Sequence, residues 1–342
     1  MKKNKTKIIA IILVALLLIL CLISAKFGAV QISSQEILSA LKKIFQGTES
    51  ADLNERIFLQ IRLPRVIMGV FVGAALAIGG VLMQALFRNP IVEPGLIGTS
   101  SGAAFGAALY FVLGATFNFN LGEWTLPIAA CMGGLISTAL VFYLSNSEQK
   151  GKSSVVTLLL TGVAVNALFL SGVGFLSYIA RDPQARSITF WNLGTLSGSY
   201  WEGLFIVIVI TSLCLLLSLR YGRQLNALML GENEARSLGV NIRSLKLKVL
   251  IVNVVMVSVV TAFVGIIGFI GLIVPHVLRM INGSDNRFLI WSAALLGAIL
   301  LTASDVISRV LLSPAELPIG IVTSIIGVPV FILLLRRTNY FF

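Results

Sequence analysis

The chain is a succession of long apolar stretches separated by short polar ones. The first six such stretches along the chain each have 17 or more residues without an acidic or basic side chain. A helix needs about 20 apolar residues to cross the hydrocarbon core of a bilayer, so each stretch is predicted to be a membrane span. The six are Ile8–Ala25, Val66–Phe87, Gly95–Ala115, Trp124–Leu144, Val155–Ala180 and Gly203–Leu219.

The apolar stretch Val249–Val277 is longer than the six stretches above. As one helix it would be about 43 Å long, too long for one upright span and too short for two. Three glycines interrupt it: Gly265, Gly268 and Gly271. Irregular backbone at membrane depth is tolerated where it is packed inside protein. We therefore predict a full helix at about 249–263, a turn, and a half-helix at about 268–278.

Two further stretches, Leu289–Ser304 and Ile319–Leu335, bring the predicted count to ten spans. This predicts an all-α membrane protein in which residues 1–342 form a single transmembrane domain. An even count places both termini on one side, which would carry 17 of the 26 lysines and arginines. Basic residues mark cytoplasmic loops, so both termini and the polar segment at about 220–248 are predicted to be cytoplasmic.

Composition narrows the possible functions. The chain is 57% hydrophobic and carries a net charge of +12, which in a membrane protein indicates cytoplasmic loops rather than nucleic-acid binding. The single histidine, His276, has no carboxylate or cysteine cluster near it in sequence, so neither a metal site nor an enzyme is expected. The three cysteines lie inside apolar spans, where they are predicted to pack as small apolar residues.

The segment GENEARSLGV, residues 231–240, gathers charge between two apolar stretches. Glu232 and Glu234 would lie in the first turn of a short helix, where negative charge is favoured, and Gly239 would end it. Ala235 and Leu238 would form an apolar spot beside Arg236. Such a helix suits insertion into a groove on a cytoplasmic partner. A linker helix lying on the protein surface is the alternative.

Three arginines lie at the predicted outer ends of spans: Arg62, Arg65 and Arg309. They could anchor helices to lipid headgroups, or they could receive carboxylates from a partner. Asp305 precedes Arg309 by four residues, so these two side chains can also pair with each other. The sequence leaves these interpretations open.

Six stretches together resemble one family. They are IRLPRVIMGVFVGAALAIGGVLMQALFRNPIVEPGLIGTSSGAA (61–104), LLLTGVAVNAL (158–168), FWNLGTLSG (190–198), LMLGENEARSLGV (228–240), VGIIGFIGLIVPHVLR (264–279) and AELPIGIVTSIIGVPVF (315–331). The chain resembles the FecCD-type, or type II, ABC importer permeases for iron–siderophore complexes, haem and cobalamin. The resemblance implies a ten-helix subunit of a bacterial cytoplasmic (inner) membrane.

The resemblance also implies partners. The subunit would work as a homodimer with a translocation path along the dimer axis, two ATPase subunits in the cytoplasm, and an extracytoplasmic substrate-binding protein. ATP and Mg²⁺ would belong to the ATPase, with no cofactor in this chain. Residues 228–240 match the segment that docks into the ATPase.

Site residues follow from the same resemblance. Arg62, Arg65 and Arg309 match positions that pair with glutamates on the binding protein. Residues 153–168 match the span that lines the path, which includes Asn166. Its cytoplasmic end would form a gate from Ser153, Ser154, Val155 and Val156, although related permeases can have small hydroxyl residues where the two valines stand.

The expected cargo is an iron chelate, haem or a ferric siderophore, and cobalamin is the alternative. RSITFWNLGTLSG is slightly more similar to haem-type permeases. A secondary transporter is the rival from another class. Such proteins usually have ionisable residues in mid-span. Here the notable polar groups well inside the spans are Asn166 and Asn253, and Asp305 lies towards the end of a span.

Overall fold

The computed structural model describes residues 2–28, 30–46, 52–114, 122–145 and 155–337, and these residues form helices and no strands. Within these described ranges, seven helices are long and apolar enough to cross a membrane. Three apolar helices are shorter, at Thr99–Leu113, Ile270–Asn282 and Ile319–Leu333. The seven long helices and the three shorter ones overlap the ten stretches that were predicted to be spans.

The helices follow one another in this order: α1 Lys2–Lys26, α2 Ser34–Gln46, α3 Leu53–Ile57, a π-helical turn Phe58–Arg62, α4 Leu63–Phe87, a 3₁₀ turn Pro94–Ile97, α5 Thr99–Leu113, a 3₁₀ turn Gly122–Trp124, α6 Thr125–Ser145, α7 Val155–Ile179, α8 Asp182–Asn192, α9 Trp201–Leu230, α10 Glu232–Ser237, α11 Ile242–Val264, α12 Ile270–Asn282, α13 Asn286–Val310 and α14 Ile319–Arg337.

Helix α4 lies at the centre of the bundle. It packs against α13, α9, α12 and α11, and most of its residues are buried. Gly73 of α4 allows its backbone to approach α13 closely, because a Cβ atom at this position would lie 2.3 Å from the carbonyl oxygen of Gly297. Small residues at such crossings are the usual means by which helices pack in lipid.

The predicted break after α11 is confirmed. Helix α11 ends at Val264, Gly265 has φ +73°, and α12 begins at Ile270. A Cβ atom on Gly265 would lie 2.2 Å from the carbonyl oxygen of Trp191, so the turn needs glycine for space as well as for backbone conformation. Phe269, the residue before α12, also has a positive φ, +68°.

Two features of the fold differ from the sequence prediction. Helix α9 continues to Leu230, so the predicted coupling segment at about 220–248 is the end of α9, the short helix α10 and the start of α11. Helices α2 and α8 were not predicted. Helix α2 buries Ile37 and Ala40 against Phe58 of the π-helical turn, which makes it an amphipathic helix packed on the bundle.

Candidate coupling and translocation sites

Helix α10 has the form predicted for GENEARSLGV. Gly231 precedes it with φ +141°, and Gly239 follows with φ +80°. The N–H of Val240 donates to the carbonyl of Ala235 and that of Gly239 to Arg236, both at 2.9 Å. Glycine in the left-handed region is the usual end of a helix, so the predicted stop at Gly239 is confirmed.

The apolar spot predicted on α10 is not formed as expected. Ala235 is fully buried in the chain's own core, whereas Leu238 is 64% exposed. The two side chains therefore face different surroundings, and the exposed leucines of the segment 228–240 are Leu230, at 70%, and Leu238. Glu234 and Arg236 are exposed beside Leu238. A partner at this segment would contact exposed leucine beside charged side chains.

Glu232 holds α10 to α11. Its Oε1 lies 2.7 Å from Lys246 Nζ. This hydrogen bond from Lys246 lowers the pKa of Glu232, and the charges of Lys246, Arg88 and Arg236 act in the same direction. The segment is thus fixed to the transmembrane helix that follows it, as a part that transmits force would need to be.

The three arginines predicted to dock a binding protein are buried. Arg62, Arg65 and Arg309 are 5%, 6% and 4% exposed, and each has partners within this chain. Arg65 Nε and Nη2 lie 3.0 and 2.9 Å from Asp305 Oδ1, and Arg309 Nε lies 3.0 Å from Asp305 Oδ2. The possible pairing of Asp305 with Arg309 is therefore found, together with a second pairing to Arg65. The docking of a binding protein at these three arginines stays a prediction.

Two of these arginines, Arg62 and Arg309, also cap the C-terminal end of α1. Arg62 donates to the carbonyls of Ala25, Lys26 and Val30, and Arg309 donates to those of Ser24 and Phe27. Cations favour the C-terminal end of a helix, where carbonyls lack intrahelical partners.

Glu316 is the more exposed member of this cluster. Arg65 Nη1 donates to both of its carboxylate oxygens at 2.9 Å, and its side chain is 37% exposed. An approaching partner would therefore meet Glu316 before it met Arg65.

The predicted gate lies at the edge of the described chain. Ser153 and Ser154 fall outside the described residues, and Val155 and Val156 begin α7, with their side chains not among those described. The assignment of the gate to these four residues stays a prediction.

Asn166 attaches α7 to α5 and to the 3₁₀ turn in the loop before it. It accepts a hydrogen bond from Ser101 Oγ at 2.5 Å and donates one to the carbonyl of Leu96 at 2.9 Å. Gly162, one turn earlier, also contacts that loop, since a Cβ atom there would lie 2.7 Å from Leu96 O. The other side of α7 is apolar and exposed, as at Leu160, Val163 and Phe175.

Asn166 also lines a cavity of about 280 Å³. Glu93, Ser100 and Thr261 contribute polar groups to its wall. The Glu93 carboxylate accepts a hydrogen bond from the backbone N–H of Phe269 at 3.0 Å, at the break between α11 and α12. Sequence reasoning missed Glu93, although a lone carboxylate between two apolar stretches was a usable signal. The positive φ of Phe269 had no signal in the sequence.

Comparison with known proteins places these features in context. The model of the FecCD transport family matches residues 16–337. The hemin transport system permease protein of Yersinia pestis is 41% identical over 325 residues, which cover 95% of this chain and 94% of that protein. The vitamin B12 import system permease protein of Klebsiella pneumoniae is 37% identical, with 96% and 93% covered.

A solved structure has the same fold throughout. An inward-facing structure of a metal-chelate type ABC transporter superposes with a TM-score of 0.84 at 34% identity, covering 97% of this chain and 99% of the other.

Proposed function

The chain belongs to the FecCD transport family of ABC importer permeases, and we propose that it carries an iron chelate, haem or a ferric siderophore, into the cytoplasm. The strongest support is the 41% identity to a hemin permease across 95% of the chain. The similarity to a metal-chelate type transporter agrees with it. Cobalamin is the second candidate, because a vitamin B12 permease is 37% identical over a similar length.

The proposed assembly contains two copies of this chain, each with ten spans. The exposed apolar side of α7 supports a role beside the dimer axis, where it would line the path. Single cysteines at 155 or 156 should then crosslink between subunits in at least one nucleotide state. If no crosslink forms in any nucleotide state, while control cysteine pairs elsewhere do crosslink, the gate must lie on another helix.

Two ATPase subunits and one substrate-binding protein complete the proposed importer. The ATPases would hold ATP and Mg²⁺ and would grip α10, where Leu238 is exposed among Glu234 and Arg236. This geometry supports a groove-binding helix that offers an exposed leucine as its apolar anchor. The chain would lie in a bacterial cytoplasmic membrane with both termini in the cytoplasm, as its basic residues favour.

Docking of the binding protein is proposed at the outer ends of α4 and α13, with a changed role for the arginines. Arg65 and Arg309 would support the docking surface from beneath, and Glu316 would lie at its edge.

The cargo is tested with the partner binding protein and the assembled importer. Binding and uptake of haem, a ferric siderophore and cobalamin would be compared at equal concentrations, with the empty binding protein as control. Uptake of haem or the siderophore with no cobalamin uptake is the expected result. Uptake of cobalamin alone would contradict the proposed iron-chelate cargo and identify cobalamin as the cargo instead.

A further inference from the structure

A larger cavity, of about 620 Å³, lies beside the first turns of α6 and α9. Trp124 precedes α6, and Trp201, Glu202, Phe205 and Ile208 come from α9. Both helices belong to membrane-spanning segments that begin at these residues. Tryptophans at the ends of spans lie at the level of the lipid headgroups, so the cavity opens at a membrane interface.

The two tryptophan rings are held in place by the protein. Trp201 Nε1 donates to the carbonyl of Leu59 at 3.1 Å. Trp124 packs edge-to-face against Tyr200 and Phe263, with ring centroids 5.9 and 6.3 Å apart. Each tryptophan ring is therefore positioned by contacts within the protein.

Two acidic residues adjoin the two tryptophans in the chain, Glu123 before Trp124 and Glu202 after Trp201. Glu123 and Glu202 are exposed, and neither forms a salt bridge with any residue that the structure describes. Glu202 lines the cavity together with Trp124 and Trp201, and Glu123 is adjacent to Trp124 in the chain. Carboxylates beside tryptophan faces are the chemistry that recognises an ammonium group, through charge and cation–π attraction.

The cavity continues from the interface into the apolar region. Residues 201–208 of α9 rise about 10 Å along the helix axis. Phe205 is 68% exposed one turn below Trp201, and Ile208 lies one turn further. A ligand that fills this space needs a cationic head and an apolar tail beneath it.

We propose that this cavity binds a bilayer phospholipid with an ammonium headgroup, such as phosphatidylethanolamine. The ammonium group would lie between Glu202 and the tryptophan rings, with an acyl chain along Phe205 and Ile208. An anionic lipid of the same chain length would be disfavoured, because its headgroup lacks the ammonium and would meet the carboxylate of Glu202. The site does not depend on the cargo of the permease.

The tryptophans themselves provide the probe. The full chain has four tryptophans, and replacing Trp191 and Trp291 with phenylalanine leaves the two at the cavity. The protein would be reconstituted in vesicles containing phosphatidylethanolamine and phosphatidylglycerol, with dibrominated acyl chains on one lipid or the other. We expect brominated phosphatidylethanolamine to quench the tryptophan fluorescence with about fivefold higher relative affinity than brominated phosphatidylglycerol.

Charge variants identify the cause of that preference. Glu202→Gln should reduce it to about twofold or less, because the ring faces remain but the carboxylate is lost. Asp182→Asn removes another exposed carboxylate, at the start of α8, and should leave it unchanged.

Equal quenching by the two lipids, a preference for phosphatidylglycerol, or a preference that Glu202→Gln leaves intact would overturn the proposal. If the double tryptophan variant fails to fold, native mass spectrometry of the unaltered chain replaces the quenching assay. Retention of phosphatidylethanolamine over phosphatidylglycerol, reduced by Glu202→Gln, is the result expected there, and its absence is equally decisive.

Discussion

Arg65 and Asp305 form a buried ion pair between α4 and α13, with Arg65 Nη2 2.9 Å from Asp305 Oδ1. The same carboxylate holds Arg309 through its other oxygen at 3.0 Å. One acidic side chain thus pairs with two buried guanidinium groups and joins the ends of two helices, while Glu316 supplies a second negative charge to Arg65. Arg309 in turn holds the end of α1, so Asp305 is central to the packing of three spans.

Asp305→Asn should therefore destabilise the subunit strongly. Breaking a buried ion pair by removing one partner costs about 3–5 kcal/mol, because the remaining charge is left uncompensated. Glu316→Gln is the matched control, and its effect should stay within about 1 kcal/mol because Glu316 is partly exposed. Thermal unfolding of the purified subunit in detergent measures both. Equal losses of stability in the Asp305→Asn and Glu316→Gln variants would contradict the central role of Asp305.

Leu238→Asp should prevent the ATPase from co-purifying while leaving the subunit's thermal unfolding unchanged. Leu238 is 64% exposed, so a charge costs little in the isolated subunit, but it would be buried without a partner in an ATPase groove. Leu238→Met keeps the apolar contact and should retain assembly. Ala235→Asp should instead unfold the segment, because Ala235 is fully buried. Normal ATPase binding by the Leu238→Asp variant would show that α10 does not form the interface with the ATPase.

Glu93→Ala should loosen the break between α11 and α12. Phe269 has a positive φ, a conformation that costs about 1–3 kcal/mol in a residue with a side chain. Its N–H donates to Glu93, and losing that acceptor costs about 1–3 kcal/mol if the group stays buried. Glu93→Gln keeps an acceptor oxygen and should lose less. The two variants are compared by thermal unfolding and by uptake rate, and identical behaviour would show that the hydrogen bond has no such role.

The pH dependence of stability should include a contribution from Asp285, the residue that caps α13. Hydrogen bonds from Arg287, and also from Asn226, lower its pKa from 3.8 to about 2. Because the folded-state pKa is depressed, this stabilisation is complete above the ordinary pKa and is lost as pH falls from about 4 towards 2. The difference in Tm between the parent and Asp285→Asn should be constant above pH 5 and shrink below pH 4. A difference that stays constant down to pH 2.5 would contradict this assignment.

The spans could be predicted because lipid imposes length and apolarity on every helix that crosses it. The break near Gly265 and the helix end at Gly239 were also predictable, since both depend on local backbone requirements of glycine. Helices α2 and α8 were missed because they are short, amphipathic or polar, and carry no span signal.

The site residues were harder to predict than the spans. The possible pairing of Asp305 with Arg309 was visible four residues apart, but Arg65 is 240 residues from Asp305 in sequence. The burial of Ala235 likewise depends on how α10 packs against the rest of the bundle. Such long-range contacts decide whether a charged or apolar residue faces a partner or the chain's own core.

Haem uptake by proteoliposomes tests the account most directly. The vesicles would contain this chain with its ATPase, and the binding protein would be added outside with haem. Uptake should require ATP at the ATPase, should disappear with a hydrolysis-deficient ATPase, and should persist when ionophores collapse the proton and sodium gradients. Uptake that continues without ATP and stops when the gradients collapse would contradict the account.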